Sequence, residues 1–157
     1  MKTKTIDLKE IKAEYDNKTI NVKKRVVVCA GTGCIANGSM DVFTTFASKI
    51  KEVGMEVILE VDKHECSDKQ DIHVTGSGCQ GFCAQGPLVN IYPDNILYVK
   101  VRPEDVEEIV QKSLVKDEII DRLLYKSPST QEKFKGQEDI PFYKLQERLV
   151  LGDCGKM

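Results

Sequence analysis

An α/β fold, with helices packed on a central strand, is what this sequence predicts, and three observations predict it. Arg25-Val26-Val27-Val28-Cys29 is an unbroken β-branched run. That is the pattern of a strand buried on both faces rather than one with a wet side. An amphipathic stretch from Met40 to about Val53 and a second apolar run from Met55 to Val61 follow it, so the first half reads strand, helix, strand. Further on, Leu88 to Tyr92 and Ile96 to Val101 flank Pro93-Asp94-Asn95, a hairpin with its turn residues in place.

Composition sets the outer limits. A chain of 157 residues with 41% apolar and 31% charged residues is expected to fold as one soluble domain, with an appendage at most. Net charge is −2, with 23 Lys/Arg against 25 Asp/Glu, so no basic excess is present to hold a phosphate backbone and nucleic acid is not an expected partner. No apolar run reaches the length of a membrane span, and membrane insertion is not expected. The opening residues are charged rather than greasy, so the expected location is cytoplasmic, not secreted.

The elements follow in order. Residues 1–23 read as an N-terminal helical arm, with Leu8, Ile11 and Tyr15 as a short stripe between Asp7 and Tyr15. Its lysines read as a solvated face. Residues 24–125 carry the domain proper. Ser39 is expected to cap the Met40 helix, whose buried side is Val42, Phe43, Phe46, Ala47, Ile50 and Val53, and Gly54 stands where a helix ends. A polar loop holding His64 and Cys66 leads to a short strand at Ile72 to Thr75. Pro103 opens a helix with Glu104 and Asp105 in its first turn and Val106, Ile109, Val110 and Leu114 inward. A further helix is expected from Asp117 to Leu124. Residues 126–157 turn polar and read as a linker or tail, its scattered apolar residues too few for a core.

Six cysteines in a chain expected to sit in a reducing compartment point to metal or redox chemistry rather than to disulfides. Four form two pairs. Cys29 and Cys34 have four residues between them, and Cys79 and Cys83 have three. Each pair lies in a glycine-rich loop at the end of an expected strand. Gly31, Gly33, Gly76, Gly78 and Gly81 allow the backbone to turn in and present N–H donors to an anionic iron–sulfur cluster. No Lys or Arg lies between Cys29 and Asp41 or between Asp71 and Val99, so the loops themselves offer dipoles rather than side-chain cations, which tends to keep a potential low. Spacing and loop chemistry favour a [2Fe–2S] site. The alternatives are structural zinc, which usually takes closer knuckles, a thioredoxin-type dithiol, a disulfide pair, inert thiols, and a [4Fe–4S] site, which prefers a tighter run. Cys66 and His64 read as surface residues, His73 as a structural histidine and Cys154 as a bystander. The acidic stripe Glu104, Asp105, Glu107 and Glu108 reads as a solvated helix face, with docking of a basic redox partner as its functional alternative.

Val28-Cys29-Ala30-Gly31-Thr32-Gly33-Cys34, with Gly78-Cys79-Gln80-Gly81-Phe82-Cys83 and Gly86-Pro87-Leu88-Val89, resembles the thioredoxin-like [2Fe–2S] ferredoxin family over roughly Lys24 to Val115. The resemblance implies a βαβ–ββα fold with extra helices at the termini, and a one-electron carrier whose [2Fe–2S] cluster is held by Cys29, Cys34, Cys79 and Cys83. The stretch Phe142 to Lys156 is similar to the start of the flavin domain in the NADH-binding subunit shared by complex I and NAD(P)-linked [FeFe] hydrogenases. That likeness implies a domain of such a complex, with flavin and iron–sulfur subunits as partners, while the chain lacks a glycine-rich loop for flavin or nucleotide and is not expected to be an enzyme by itself. A free-standing ferredoxin acting as a homodimer, or a zinc-stabilised interaction module, is the alternative.

Overall fold

Strand β1 (Val22–Cys29) runs through the middle of a five-stranded sheet. A computed structural model describes residues 7–18, 22–59 and 71–150. The strands lie in the order β2 (Glu56–Ile58), β3 (Asp71–Ser77), β1, β4 (Val89–Tyr92), β5 (Ile96–Tyr98). β1 pairs in parallel with β3 and antiparallel with β4, with Cys29 opposite Ser77 and Val28 opposite both Gly76 and Val89. Burial of Val26, Val27, Val28 and Cys29 to within 1% follows from that central place.

Alternation along β1 divides the core in two. Val26 and Val28 join Phe46 and Ile50 of α3 (Ser39–Glu52) and Val106, Ile109 and Leu114 of the helix after Pro103. Cys29 points into a second cluster with Cys34, Leu88, Leu97, Val99, Ile140 and Tyr143. Before these elements stands α1 (Leu8–Lys18), whose Leu8, Ile11 and Tyr15 are exposed, and a five-residue helix, α2 (Thr32–Ala36), lies within the first cysteine loop.

Several expectations need correction. The N-cap of α3 is Gly38, held at φ +87, and Ser39 is the first helical residue, buried with its hydroxyl unpartnered. Gly54 does end the helix, at φ +79. α4 (Pro103–Ile109) widens into π-type turns over Val110–Val115. The helix expected from Asp117 to Leu124 is absent; only Asp121–Leu123 form a 3₁₀ turn. Asp117 sits at φ +60, which breaks a helix at its first residue, and the Ile120 N–H donates to the Tyr98 hydroxyl at 3.0 Å.

The segment 126–157 reads as a linker, but its described part packs on the body as far as Tyr143, while Leu145, Leu149 and Val150 are exposed. β6 (Tyr125–Lys126) pairs with β7 (Lys133–Phe134), the Leu97 N–H donates to the Lys135 carbonyl at 2.8 Å, and α5 (Pro141–Lys144) follows. Ile140 is fully buried. The apolar residues here are indeed few, yet they complete a cluster that the sheet has already begun, so they need not form a core of their own.

One buried cation ties remote parts together. Lys24 is 3% exposed, yet its Nζ donates to the Ser113 carbonyl and pairs with Asp117 and, at 2.7 Å, with Asp94. Burial alone would lower its pKa, but the Asp117 and Asp94 carboxylates outweigh that and hold it raised. Asp117 in turn is lowered by Lys24, so the pair's contribution is present above the ordinary carboxylate pKa and is lost as pH falls through the depressed value.

Lys24→Met should cost about 2–4 kcal/mol in urea unfolding, because the Ser113 carbonyl and both carboxylates lose their partner. Lys23→Met, on the exposed side of the same strand, should stay within about 0.5 kcal/mol. Ile140→Ala should cost about 2–4 kcal/mol in the same assay, whereas a free linker would leave stability unchanged.

Candidate metal centre

Parallel pairing of β1 and β3 releases both cysteine loops at the same end of the sheet. The two loops are clasped by backbone bonds: the Ala30 N–H donates to the Ser77 carbonyl at 2.9 Å, and the Cys29 N–H to the Leu88 carbonyl at 3.0 Å. Cys29 closes β1 and is buried, as is Cys34 in α2, while Cys79 is half-buried and Cys83, at the start of a 3₁₀ turn (Cys83–Gln85), is exposed. The site therefore has a dry pair and a wet pair.

The glycines interlock with the thiols. A Cβ on Gly31 would stand 3.0 Å from Cys79 Cα and Cβ, and 3.3 Å from its Sγ. One on Gly33 would meet Cys83 Cβ at 3.3 Å, and one on Gly86 would lie 2.6 Å from Cys34 Sγ. Each glycine of one loop thus makes room for a cysteine of another. Gly81, at φ +82, turns its N–H onto Cys79 Sγ at 3.4 Å, the kind of backbone donor an anionic sulfur site uses. Cys79 Sγ and Cys83 Sγ are 3.9 Å apart, and the Cys29 thiol lies 3.7 Å from the Gly78 carbonyl.

Protonation of the free thiols follows from this packing. Burial, then the neighbouring Cys29, push Cys34 up to about 12, and the adjacent Cys79 raises Cys83. A redox-active dithiol of the thioredoxin type needs the opposite, a lowered pKa. Metal loading here must displace protons. Among the described residues, no group of three or more Cys, His, Asp or Glu side chains is placed to hold a single metal ion. Two dithiolate pairs brought together by tight glycine loops fit a binuclear iron–sulfur group.

Several bracing residues have no signal in the cysteine spacing. Gln80 is 1% exposed; its amide donates to Ser77 Oγ at 3.0 Å and its oxygen accepts from Asn90 at 2.8 Å, fixing the second loop to β4. The Tyr143 hydroxyl donates to the Gln80 carbonyl at 3.1 Å, and Arg148 Nη2 donates to the Cys79 carbonyl at 3.1 Å. Phe82 stacks on Phe142 with ring centroids 4.8 Å apart and meets Tyr125 and Tyr143 edge-on. Absence of Lys and Arg from the loop sequences therefore does not leave the site without a cation, because Arg148 arrives from more than sixty residues downstream. Periodicity within the tail marks its apolar residues but not where they land.

His64, Cys66 and Cys154 lie outside the described residues. His73 is buried in β3 beside Arg25 and Ile58, away from the cysteine end. The acidic stripe is largely engaged within the chain: Asp105 and Glu108 bind Arg122, Glu108 also binds Lys112, and Glu107 reaches Lys49.

The family model described as thioredoxin-like [2Fe–2S] ferredoxin matches residues 2–114. A protein named Ferredoxin, 2Fe-2S, from Clostridium pasteurianum is 34% identical over 104 residues, a match covering 66% of this chain and 97% of that protein. One of the same name from Aquifex aeolicus is 33% identical over 112 residues, covering 71% of this chain and 90% of its own length. The crystal structure of the wild-type thioredoxin-like [2Fe–2S] ferredoxin from Aquifex aeolicus superposes with a TM-score of 0.54 at 32% identity, covering 68% of this chain and 99% of that one.

Gly86→Ala is expected to be poorly tolerated for steric reasons alone, since its φ of −70° suits any residue. A methyl 2.6 Å from Cys34 Sγ should cost about 1–3 kcal/mol and reduce iron retention. Gly76→Ala, whose Cβ would find its nearest neighbour at an ordinary 3.6 Å, should retain iron, as read by metal analysis of the two purified variants side by side.

Proposed function

Because the chain belongs to the thioredoxin-like [2Fe–2S] ferredoxin family, and so is an electron-transfer protein carrying a [2Fe–2S] cluster, we propose that Cys29, Cys34, Cys79 and Cys83 are the four ligands of that cluster. The observation that carries this assignment is the interlocking of Gly31, Gly33 and Gly86 with Cys79, Cys83 and Cys34, which packs the thiols of both loops into one site. When bound, the cluster supplies reversible one-electron exchange at iron. The chain's own part is to bring two thiolate pairs together, to bury Cys29 and Cys34 away from water, and to leave Cys83 at the surface where a redox partner can approach.

A finer reading concerns the setting. The carrier works, on this reading, in the cytoplasm as a domain of a larger redox assembly, exchanging electrons with the flavin and iron–sulfur subunits of an NAD(P)-linked hydrogenase or NADH dehydrogenase. Two things support it: the likeness of Phe142 to Lys156 to the start of a flavin domain, and the packing of Phe134, Ile140 and Tyr143 onto the cluster that holds Cys29 and Cys34, beyond the residues that the family model matches. The alternative is a free-standing homodimeric ferredoxin; a free-standing carrier is supported by the ferredoxin relatives, which are matched over 97% and 90% of their own lengths.

Purified protein should contain iron and acid-labile sulfide in equal amounts and give a rhombic spin-half EPR signal after dithionite. Cys79→Ser should strip the cluster, and Cys66→Ser and Cys154→Ser should keep it. Zinc without labile sulfide would refute the assignment. NADH or NADPH alone should leave the visible spectrum unchanged, because hydride chemistry needs a carrier that splits an electron pair and a one-electron cluster does not do so. Light scattering of the isolated chain, and its co-purification with flavoprotein from its own cells, separate the homodimer from the assembly.

A further inference from the structure

The second cysteine loop is held from outside by a segment that the family model does not reach. Residues 140–148 lie across it as a strap, anchored by the fully buried Ile140 and by Tyr143, which is 9% exposed. The strap touches the loop at three successive points. Arg148 Nη2 donates to the Cys79 carbonyl, the Tyr143 hydroxyl donates to the Gln80 carbonyl, and the Phe142 ring stacks on Phe82. Arg148 is also the cation that approaches Gly81, its Nη2 lying 3.5 Å from where a Cβ on that glycine would stand. Gly81 is the residue whose N–H donates to Cys79 Sγ. The loops themselves contain no Lys or Arg, so a guanidinium delivered here is a charge the loops do not otherwise possess.

We propose, building on the ligand assignment above, that the strap delivers Arg148 to the wet cysteine pair as a positioning residue that raises the reduction potential of the cluster those cysteines hold. Reduction adds one electron, taken from an external one-electron donor, and so one negative charge to the site. A fixed cation beside the ligand loop stabilises the reduced state more than the oxidised one. The guanidinium bound to the Cys79 carbonyl acts through two routes that point the same way: its own charge, and its pull on the peptide that carries the first sulfur ligand of the loop. Arg148 is partly exposed, so salt screens its charge in part.

The test is an EPR-monitored redox titration of the full chain with mediators and dithionite. Arg148→Gln should lower the midpoint, so that the reduced-to-oxidised ratio at a fixed poise falls by roughly three- to tenfold. Arg148→Lys should restore most of that ratio. Lys144→Gln, removing an exposed cation of the same segment, should leave it unchanged. The gap between wild type and Arg148→Gln should narrow when salt is raised from 50 mM to about 1 M. An unchanged midpoint in Arg148→Gln with iron and sulfide retained would overturn the proposal. Loss of the cluster in Arg148→Gln would also overturn it, since the residue would then hold the loop together rather than set its potential. The underlying ligand assignment fails separately, by retention of full iron and sulfide in Cys79→Ser.

Discussion

Parallel pairing of two strands is the constraint from which the rest of the molecule follows. β1 and β3 run side by side in the same direction, with Cys29 in register with Ser77, so the loops that leave them emerge at one end of the sheet. Ligand crevices in open α/β sheets form outside the carboxyl ends of strands for the same reason. α3 carries the chain from β1 across to β2, the parallel strand on the far side of β3, burying Phe46 and Ile50 against Val26 and Val28. The antiparallel hairpin on the other side of β1 then closes the floor of the site with Leu88, Leu97 and Val99. Reversing β3 would send its cysteines to the opposite end of the sheet, some 20 Å away at the usual strand rise.

Within that frame, glycine works by leaving space as well as by conformational freedom. Only Gly81 among the site glycines needs a positive φ. Gly31, Gly33 and Gly86 matter because thiols or their carbons occupy the volume a side chain would take. Backbone-to-sulfur contact at this range is what places N–H dipoles close to the thiols, so a close fit of the loops and electrostatic support for an anionic group come from the same glycines.

Much of this was legible in the sequence because it is written in local patterns. The unbroken valines of β1, the stripe of α3 and its closing Gly54, the hairpin and both cysteine loops are short-range signals, and the structure has each of them. What was not legible depends on distance along the chain. Asp117 reads as the start of a helix until Lys24, 93 residues earlier, engages its carboxylate and the backbone turns at φ +60. Ser39 reads as a cap until Gly38 takes the left-handed turn before it. Ile140 and Tyr143 read as a sparse tail because their partners, Leu97 and Cys29 among them, lie far upstream. Gln80 and Arg148 are polar residues with no periodicity to mark them, and their roles rest on hydrogen bonds to residues that local pattern does not connect with them.

The strap's two hydrogen bonds and one ring stack have a thermodynamic counterpart. Free energy exchanged between two elements is mutual, so whatever steadies the loop steadies the strap by an equal amount, and whatever peels the strap away softens the loop. The last described stretch of the chain and the second cysteine loop are therefore two ends of one equilibrium. Any body that takes hold of residues 142–148 also acts at Cys79 and Gln80 without touching either. Conversely, whatever stiffens the loop at Cys79 and Gln80 is felt at the surface as the firmness with which this segment is held, which makes residues 142–148 a mechanical readout of the cysteine loop beneath them.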